Sequence, residues 1–213
     1  MPEVMINGPE GRLESRYLPA ERDTAPIALF LHPHPQHGGS MNNKVVYTLF
    51  HSFARNGFTC LRFNFRGVGR SQGRYARGEG EMFDAAAALD WLQQQNENAR
   101  ECWIIGFSFG AWICMQLLMR RPEITAFVAV APPVNLYDFN FLAPCPTSGL
   151  ILQGGEDTVV PAHETEKLAK RLGQQRDIRV DYRNVEDADH FFTGRLNQLE
   201  ENIQDYLDSR ALA

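Results

Sequence analysis

Short apolar runs alternate along the chain with longer segments in which apolar residues recur every three or four positions. Most runs have strand length and no polar face, which is typical of strands buried on both sides of a parallel sheet. The longer segments have the period of amphipathic helices. The predicted strands are Glu3–Ile6, Leu13–Tyr17, Ile27–Leu31, Thr59–Phe65, Glu101–Ile105, Ile124–Ala131, Gly149–Gln153 and Ile178–Arg183, and the predicted helices are residues 43–56, 81–95, 109–120, 162–173 and 194–208.

This alternation of strands and helices predicts the α/β class, with a mainly parallel sheet covered by helices on both faces. Turn residues at positions 7–11 join the first two strands into a hairpin, which favours an antiparallel edge. The 213 residues suit one domain, and we expect residues 1–213 to form it. In open sheets of this class ligands bind beyond the carboxyl ends of the strands, so the loops there are where chemistry is expected.

Composition narrows the class of protein further. Hydrophobic residues make up 44% of the chain and the net charge is −5, which argues against disorder and against a nucleic-acid or membrane-surface partner. No apolar run has membrane-spanning length, and the first residues do not have the pattern of a secretory signal. The four cysteines are widely separated and are expected to be small buried hydrophobes in a reducing compartment: Cys60, Cys102, Cys114 and Cys145. We therefore expect a cytoplasmic protein.

The strongest chemical signal is the sequence Gly106-Phe107-Ser108-Phe109-Gly110, which follows an apolar strand and opens a helix. This is the GxSxG pattern in the strand–turn–helix context that a nucleophilic serine requires. The two glycines are needed because side chains there would collide with the neighbouring strand and helix. Ser108 is the predicted nucleophile, and the alternative is an ordinary tight turn.

A serine hydroxyl needs a base, and in hydrolases of this kind an acid and then a histidine follow the serine along the chain. Of the six histidines only His163 and His190 follow Ser108, and His163 lies early in a predicted helix as a surface residue. His190 follows the last strand and is the predicted base. Asp157, just after the strand ending at Gln153, is the predicted orienting acid. Its competitors are Glu156 and Asp138, whereas Asp187 and Asp189 are too near His190 in sequence.

The oxyanion hole needs two backbone N–H donors, one of them from Phe109, the residue after the nucleophile. The second donor comes from the loop after Leu31, which reads His-Pro-His-Pro-Gln-His-Gly-Gly. Because proline has no N–H, this donor narrows to His34, with Gln36 as the alternative. The histidines of this loop also raise the possibility of a metal site, but close spacing does not make imidazoles converge and no acidic or cysteine ligand lies beside them. We expect no metal and no cofactor.

The glycine-rich loop over residues 62–73 has a second possible meaning, as a phosphate cradle. It lacks the GK[ST] sequence of a P-loop, and its GxGxxG-like stretch fails at Gln72. A structural loop that ties Arg66 into polar contacts near the site is the favoured interpretation.

Together these motifs resemble those of the small bacterial α/β-hydrolases related to dienelactone hydrolase. The resemblance rests on residues 32–35, 62–71, 106–110, 155–157 and 188–192, and it extends over about residues 4–208. It implies the α/β-hydrolase fold with an eight-stranded sheet whose second strand is antiparallel, and it implies the same Ser108, His190 and Asp157 triad. Two positions depart from the family, since Ser108 stands where dienelactone hydrolases have cysteine and His32-Pro33 replaces the familiar His-Gly.

The reaction expected from these residues is hydrolysis of a small or accessible carboxylic ester, or a thioester, through an acyl-enzyme on Ser108. The interval from Pro132 to Ser148 is too short for an independent cap, so an open cleft is predicted. Its apolar walls are expected from among Phe107, Phe139, Phe141, Phe191 and Phe192, some of which must instead belong to the core. The alternatives are a serine peptidase or amidase and a non-catalytic binding protein. The sequence does not indicate an oligomeric state.

Overall fold

The strands of the central sheet follow the apolar runs of the sequence. A computed structural model describes residues 3–211 of the chain. Its strands are β1 (Glu3–Gly8), β2 (Gly11–Leu18), β3 (Ile27–Leu31), β4 (Thr59–Phe63), β5 (Cys102–Phe107), β6 (Ala126–Val130), β7 (Gly149–Gly154) and β8 (Val180–Val185), and its helices are α1 (Lys44–Arg55), α2 (Glu79–Gln94), α3 (Phe109–Leu118), α4 (Ala162–Gly173) and α5 (Leu196–Ala211). Every residue of β3 to β7 is buried, as expected for strands covered on both faces.

All eight strands form one sheet in the order β1-β2-β4-β3-β5-β6-β7-β8. β2 pairs antiparallel with both β1 and β4, and the remaining pairs are parallel. The predicted α/β-hydrolase architecture, with an antiparallel second strand, is therefore confirmed. The register sets Leu31 of β3 opposite Gly106 of β5, which brings the loops after these two strands to the same edge.

Helices cover both faces of the sheet. Apolar residues of α1 and α5 pack on one face, around Phe30, Phe53 and Trp103. Helices α2, α3 and α4 pack on the other face, around Phe65 and Phe127. Within residues 3–211 no helix combines the length and the apolar character needed to cross a bilayer. The two apolar layers hold the sheet rigid beneath the loops at its carboxyl edge.

Some boundaries differ from the sequence prediction by a few residues. α2 begins two residues early, because the Glu81 carboxylate accepts hydrogen bonds from the N–H groups of Gly78 and Ala76 at 2.7 and 2.8 Å. β8 lies two residues later than expected, since it is a half-exposed edge strand with a weak apolar pattern. α1 ends as predicted before Gly57, whose φ is 81°.

The glycine-rich loop after β4 has a structural role, as predicted. Arg66 is 5% exposed, and its guanidinium donates two hydrogen bonds to the Asp84 carboxylate of α2, at 2.9 and 2.7 Å. The Arg66 N–H donates to the same carboxylate at 3.0 Å. This buried pair fixes the loop to α2.

The four cysteines are free and buried, as expected from their spacing. Burial raises the pKa of Cys102 to about 12 and that of Cys60 well above its ordinary value. These thiols therefore stay protonated and serve as small apolar residues of the core.

No cap domain covers the carboxyl edge of the described chain. Residues 131–148, between β6 and β7, contain no helix. Phe139, Leu142 and Cys145 turn inward from this segment and join the core beside α3 and α4. The segment therefore lies against the body of the fold and leaves the cleft open.

Candidate active site

Ser108 stands on the sharp turn between β5 and α3. Its φ of 53° and ψ of −120° are strained for a residue with a side chain. The Ser108 N–H donates to the carbonyl oxygen of Val130 at 2.8 Å, which ties the turn to the end of β6. The side chain is half-buried, so the strained turn presents the hydroxyl to the cleft and not to the core.

The two glycines of the motif make this turn possible, for the steric reason expected from the sequence. A Cβ at Gly106 would lie 2.6 Å from the Cα of Ala111 in α3. A Cβ at Gly110 would lie 2.7 Å from the carbonyl oxygen of His32, just after β3. Both separations are below any normal carbon contact, so the close approach of α3 to the sheet requires glycine at both positions.

The structure brings Ser108, His190 and Asp157 into one hydrogen-bonded chain. His190 Nε2 lies 3.0 Å from Ser108 Oγ, and His190 Nδ1 lies 2.7 Å from Asp157 Oδ2. A carboxylate only accepts, so the Nδ1–H donates to Asp157 and the Nε2 accepts from the serine hydroxyl. His190 is 4% exposed and Asp157 is 6% exposed. The chain thus has the geometry needed to move a proton from the hydroxyl to the imidazole.

Asp157 is held by donors on both of its oxygens. Oδ1 accepts from the N–H groups of Val159 and Val160, each at 2.8 Å. Oδ2 accepts from the Gln153 amide at 3.0 Å besides His190. Gln153 is fully buried, and it was not predicted from the sequence. A polar residue at the end of an otherwise apolar predicted strand is the signal that could have identified it.

The other acidic and histidine candidates lie outside this chain of contacts. Glu156 and Asp138 are exposed, and Asp138 accepts a hydrogen bond from the N–H of Asn140. His163 is a surface residue beside Glu164, as expected. Asp189 accepts from the N–H groups of Phe191 and Thr193 at 3.0 and 2.8 Å, and these hydrogen bonds, that of Thr193 first, lower its pKa.

The N–H of His34, in the loop after β3, is free near the nucleophile. Gln36 N–H donates to His34 Nδ1 at 3.2 Å, and the N–H groups of His37 and Gly39 donate to the His34 carbonyl at 3.0 Å. Within residues 3–211 the N–H of His34 donates to no protein atom, and neither does that of Phe109. Gln36 is therefore occupied, which leaves His34 and Phe109 as the candidate donors of an oxyanion hole.

These two candidate donors pack against each other through their side chains. The rings of His34 and Phe109 lie 5.0 Å apart, and the Tyr75 hydroxyl lies 3.1 Å from His34 Nε2. Because His34 Nδ1 accepts from Gln36, its Nε2–H donates to Tyr75. Burial, and secondarily the neighbouring His37, lower the pKa of His34, which favours the neutral ring. No sequence pattern pointed to Tyr75.

The histidines of the loop do not converge on a metal position. His32 is fully buried, with Nδ1 2.6 Å from the Pro33 carbonyl and Nε2 accepting from the Phe65 N–H at 3.0 Å. Both of its nitrogens are therefore engaged by backbone groups. Burial lowers the pKa of His32 to about 4, which keeps the ring neutral. No group of three or more possible ligands is arranged around a common point within residues 3–211.

An apolar cavity of about 230 Å³ opens directly above Ser108 and His190. Its walls combine the loop after β3 with the segments after β6 and β7 and the turn after His190, through Pro33, His34, Phe109, Pro133, Leu136, Tyr137, Val159 and Phe191. Of the five phenylalanines expected as walls only Phe191 lines it. Phe107, Phe139 and Phe192 are buried in the core instead, and Phe141 is half-buried at its edge. Leu136 and Val159 were missed because they are apolar residues in loops, outside any strand or helix pattern.

Comparison with known proteins agrees with this geometry. A family model described as X-Pro dipeptidyl-peptidase (S15 family) matches residues 12–212. The chain belongs to the S15 family. Like the expected hydrolase group, the S15 family lies within the α/β-hydrolases, whereas the link to dienelactone hydrolases is not confirmed and stays a prediction.

The similarity to solved structures covers nearly the whole chain. The protein ATU1826 from Agrobacterium tumefaciens, of unknown function, is 54% identical, with a TM-score of 0.96 over 99% of this chain and 96% of its own. An α/β serine hydrolase homologue from Coxiella burnetii is 36% identical, with a TM-score of 0.87 over 97% of both chains. XC6422 from Xanthomonas campestris, a serine hydrolase without a lid, is 31% identical, with a TM-score of 0.85 over 96% of this chain and 92% of its own. This S15-family chain accordingly has the α/β-hydrolase fold, and its described residues 3–211 include no cap domain.

Proposed function

We propose that the protein is a serine hydrolase that cleaves carboxylic esters through an acyl-enzyme on Ser108. One observation carries the proposal, namely the unbroken hydrogen-bond chain from Asp157 through His190 to Ser108 at the floor of an apolar cavity. A buried carboxylate, an imidazole and a hydroxyl in this order are the groups that nucleophilic catalysis by serine requires.

In the proposed reaction the Ser108 oxygen attacks the ester carbonyl carbon while His190 Nε2 takes the hydroxyl proton. The buried Asp157 carboxylate stabilises the imidazolium that forms. When the tetrahedral intermediate collapses, the C–O bond to the alcohol breaks, and His190 returns the proton to the departing oxygen. Water, deprotonated by His190, then attacks the acyl-enzyme and releases the carboxylic acid and the free serine.

The negative charge of the tetrahedral intermediate is assigned to the N–H groups of Phe109 and His34. Both are free of protein acceptors within the described chain, and both residues line the cavity that contains Ser108. The Phe109 N–H also belongs to the first turn of α3, where the helix dipole favours an anion. His34 is stiffened by Pro33 and Pro35 on either side, which limits the reorganisation needed to receive the charge.

The cavity favours a small or accessible apolar acyl group. Three of the five most exposed large hydrophobic residues of the described chain lie on its rim: Leu136, Val159 and Phe191. Clustered exposed apolar side chains mark a surface that binds apolar groups. An open cleft of this volume holds a short acyl chain and leaves the rest of a larger substrate in solvent.

The test is the pre-steady-state hydrolysis of p-nitrophenyl acetate. The wild type is expected to release a burst of p-nitrophenol equal to the enzyme concentration, and Ser108→Ala is expected to show none. Labelling by a fluorophosphonate probe provides a second readout of the activated hydroxyl. A folded wild type without burst and without labelling would leave the non-catalytic binding protein as the better interpretation.

A serine peptidase is the second candidate, because the S15 family model is described as a dipeptidyl-peptidase. Such an enzyme must bind the free ammonium group of a peptide, a task suited to a carboxylate near the nucleophile. The cavity above Ser108 has no Asp or Glu among its described lining residues. This lining favours uncharged acyl groups, and therefore esters, over amino-terminal dipeptides.

Paired substrates separate these two candidates. Gly-Pro p-nitroanilide and p-nitrophenyl butyrate both release a chromogenic product, so their kcat/KM values can be measured on the same enzyme sample. The ester is expected to show the larger rate enhancement, which is kcat/KM divided by the rate constant of uncatalysed hydrolysis of the same substrate. A larger rate enhancement on the dipeptide anilide would favour the peptidase.

A further inference from the structure

A second cavity lies beside the first on the other side of Phe191. It has a volume of about 480 Å³, and Gly38, Asn43 and Phe191 line both cavities. The Phe191 side chain is 51% exposed and stands between them. Because the two spaces share these residues, one extended ligand can reach from Ser108 past Phe191 into the second cavity.

The position of Phe191 decides which part of a substrate would enter the second cavity. Its ring meets the His190 imidazole edge-on, with the ring centroids 5.1 Å apart. In the proposed mechanism His190 gives its proton to the departing oxygen, so the leaving group must lie on the His190 side of Ser108. The second cavity begins on that side, behind the residue that follows His190.

The two cavities differ in chemistry. The first is walled mainly by apolar side chains, whereas the second combines the apolar side chains of Phe191, Phe192 and Leu196 with the polar residues Ser40, Asn42, Lys44 and Thr193. Lys44 is the only charged residue among the described residues that line the second cavity. It forms no ion pair with another residue in the described range 3–211. The ammonium group is therefore available to a ligand.

We propose that the second cavity is the leaving-group subsite of the enzyme and that Lys44 makes it selective for alcohols that carry an anionic group, such as a phosphate, sulfonate or carboxylate. This inference rests on the proposed esterase function and adds to it the class of the alcohol. A lysine at an open site acts as a mobile point charge and attracts any of these anions without fixed geometry.

Three acetate esters that differ in the charge of the alcohol test the subsite. They are 3-sulfopropyl acetate, propyl acetate and acetylcholine, and a pH-stat measures acid release from all three. The wild type is expected to show the highest kcat/KM for the anionic ester and the lowest for the cationic one. Each step is expected to be about threefold to fivefold, which corresponds to a solvent-exposed charge pair.

Variants of Lys44 change this ranking if the subsite is real. Lys44→Ala is expected to bring the anionic-to-neutral ratio close to one, and Lys44→Glu is expected to invert the order. Lys167→Ala, which removes the same charge from the exposed face of α4, is the matched control and should keep the wild-type ratio.

Failure of the subsite and failure of the enzyme give different results. If the wild type hydrolyses all three esters at rates independent of charge, or if Lys44→Glu keeps the wild-type order, the leaving-group assignment is wrong while the esterase stands. If the wild type hydrolyses none of them and the fluorophosphonate probe does not label Ser108, the proposed function falls and the subsite falls with it.

Discussion

The variant Asp157→Asn removes the negative charge of the proposed orienting acid and keeps its shape. The carboxylate accepts four hydrogen bonds, two on Oδ1 from the N–H groups of Val159 and Val160 and two on Oδ2 from Gln153 and His190. An asparagine fits the same space but must place an NH₂ group where one of these oxygens stood. The least costly choice keeps oxygen on the two backbone donors and turns the NH₂ toward His190.

This orientation reverses the tautomer of His190. Its Nδ1 now has to accept from the asparagine NH₂, so the ring proton moves to Nε2 and the imidazole no longer accepts the proton of Ser108. The same change of acid to amide in the Ser-His-Asp template lowers kcat by about 10⁴-fold, or about 5 kcal/mol of transition-state free energy. The free energy of unfolding falls by less, about 1–3 kcal/mol. This cost arises because the NH₂ groups of Gln153 and of the new asparagine face each other, and both are donors.

The assay is the kcat of p-nitrophenyl acetate hydrolysis, with urea denaturation to establish that the variant is folded. Glu156→Gln is the matched control, because it removes the same charge from the adjacent exposed residue and is expected to keep wild-type kcat. A folded Asp157→Asn enzyme that retained kcat within about tenfold of the wild type would refute the tautomer argument.

Three further predictions concern stability. Burial lowers the pKa of His32 from 6.5 to about 4, so its neutral form stabilises the fold fully above pH 6.5, and about 3 kcal/mol is lost as the pH falls to 4. Urea titrations give the free energy of unfolding at pH 7 and at pH 4.5. The difference between these two free energies should be smaller in His32→Gln than in the wild type, and equal differences would contradict this prediction. Gly110→Ala is expected to lower the free energy of unfolding by about 1–3 kcal/mol, because its Cβ would press on the backbone of β3. Gly173→Ala should keep nearly the wild-type value, because no atom lies within 4 Å of its Cβ position. Asp84→Asn removes the carboxylate that pairs with the buried Arg66 guanidinium at 2.7 Å and leaves it with the more distant, exposed Glu10 at 3.8 Å. We therefore expect a loss of about 3–5 kcal/mol in the free energy of unfolding measured by urea denaturation, against almost none for the exposed Asp90→Asn.

Much of the fold followed from the sequence because burial on both faces leaves a plain signature. The runs that became β3 to β7 are apolar throughout, and their order with the helices fixed the sheet class. β8 was placed two residues too early, since an edge strand is buried on one side only and has no such run. Ser108 was recognisable for a related reason, because its strained turn excludes side chains at positions 106 and 110.

The meeting of Ser108, His190 and Asp157 was predictable from their order and from the strand ends they follow. Their catalytic roles stay predictions until the substitutions are measured. Gln153 and Tyr75 were not identified, although each holds a residue of the candidate site through one hydrogen bond. A single polar contact between segments distant in sequence depends on the packed loops, and no local periodicity encodes it.

The cavity walls show most clearly that residue types alone do not predict which side chains face the cleft. Phe191 and Phe192 are identical in chemistry, yet the first is half exposed in the cleft and the second is fully buried. The backbone makes the difference, because Phe192 has a φ of 52° and the Asp189 carboxylate holds the N–H groups on either side of it. Asp189 is too close in sequence to orient His190, but through this turn it decides which phenylalanine divides the cleft. If the second cavity binds the leaving group, specificity depends on this turn as well as on the residues that touch substrate.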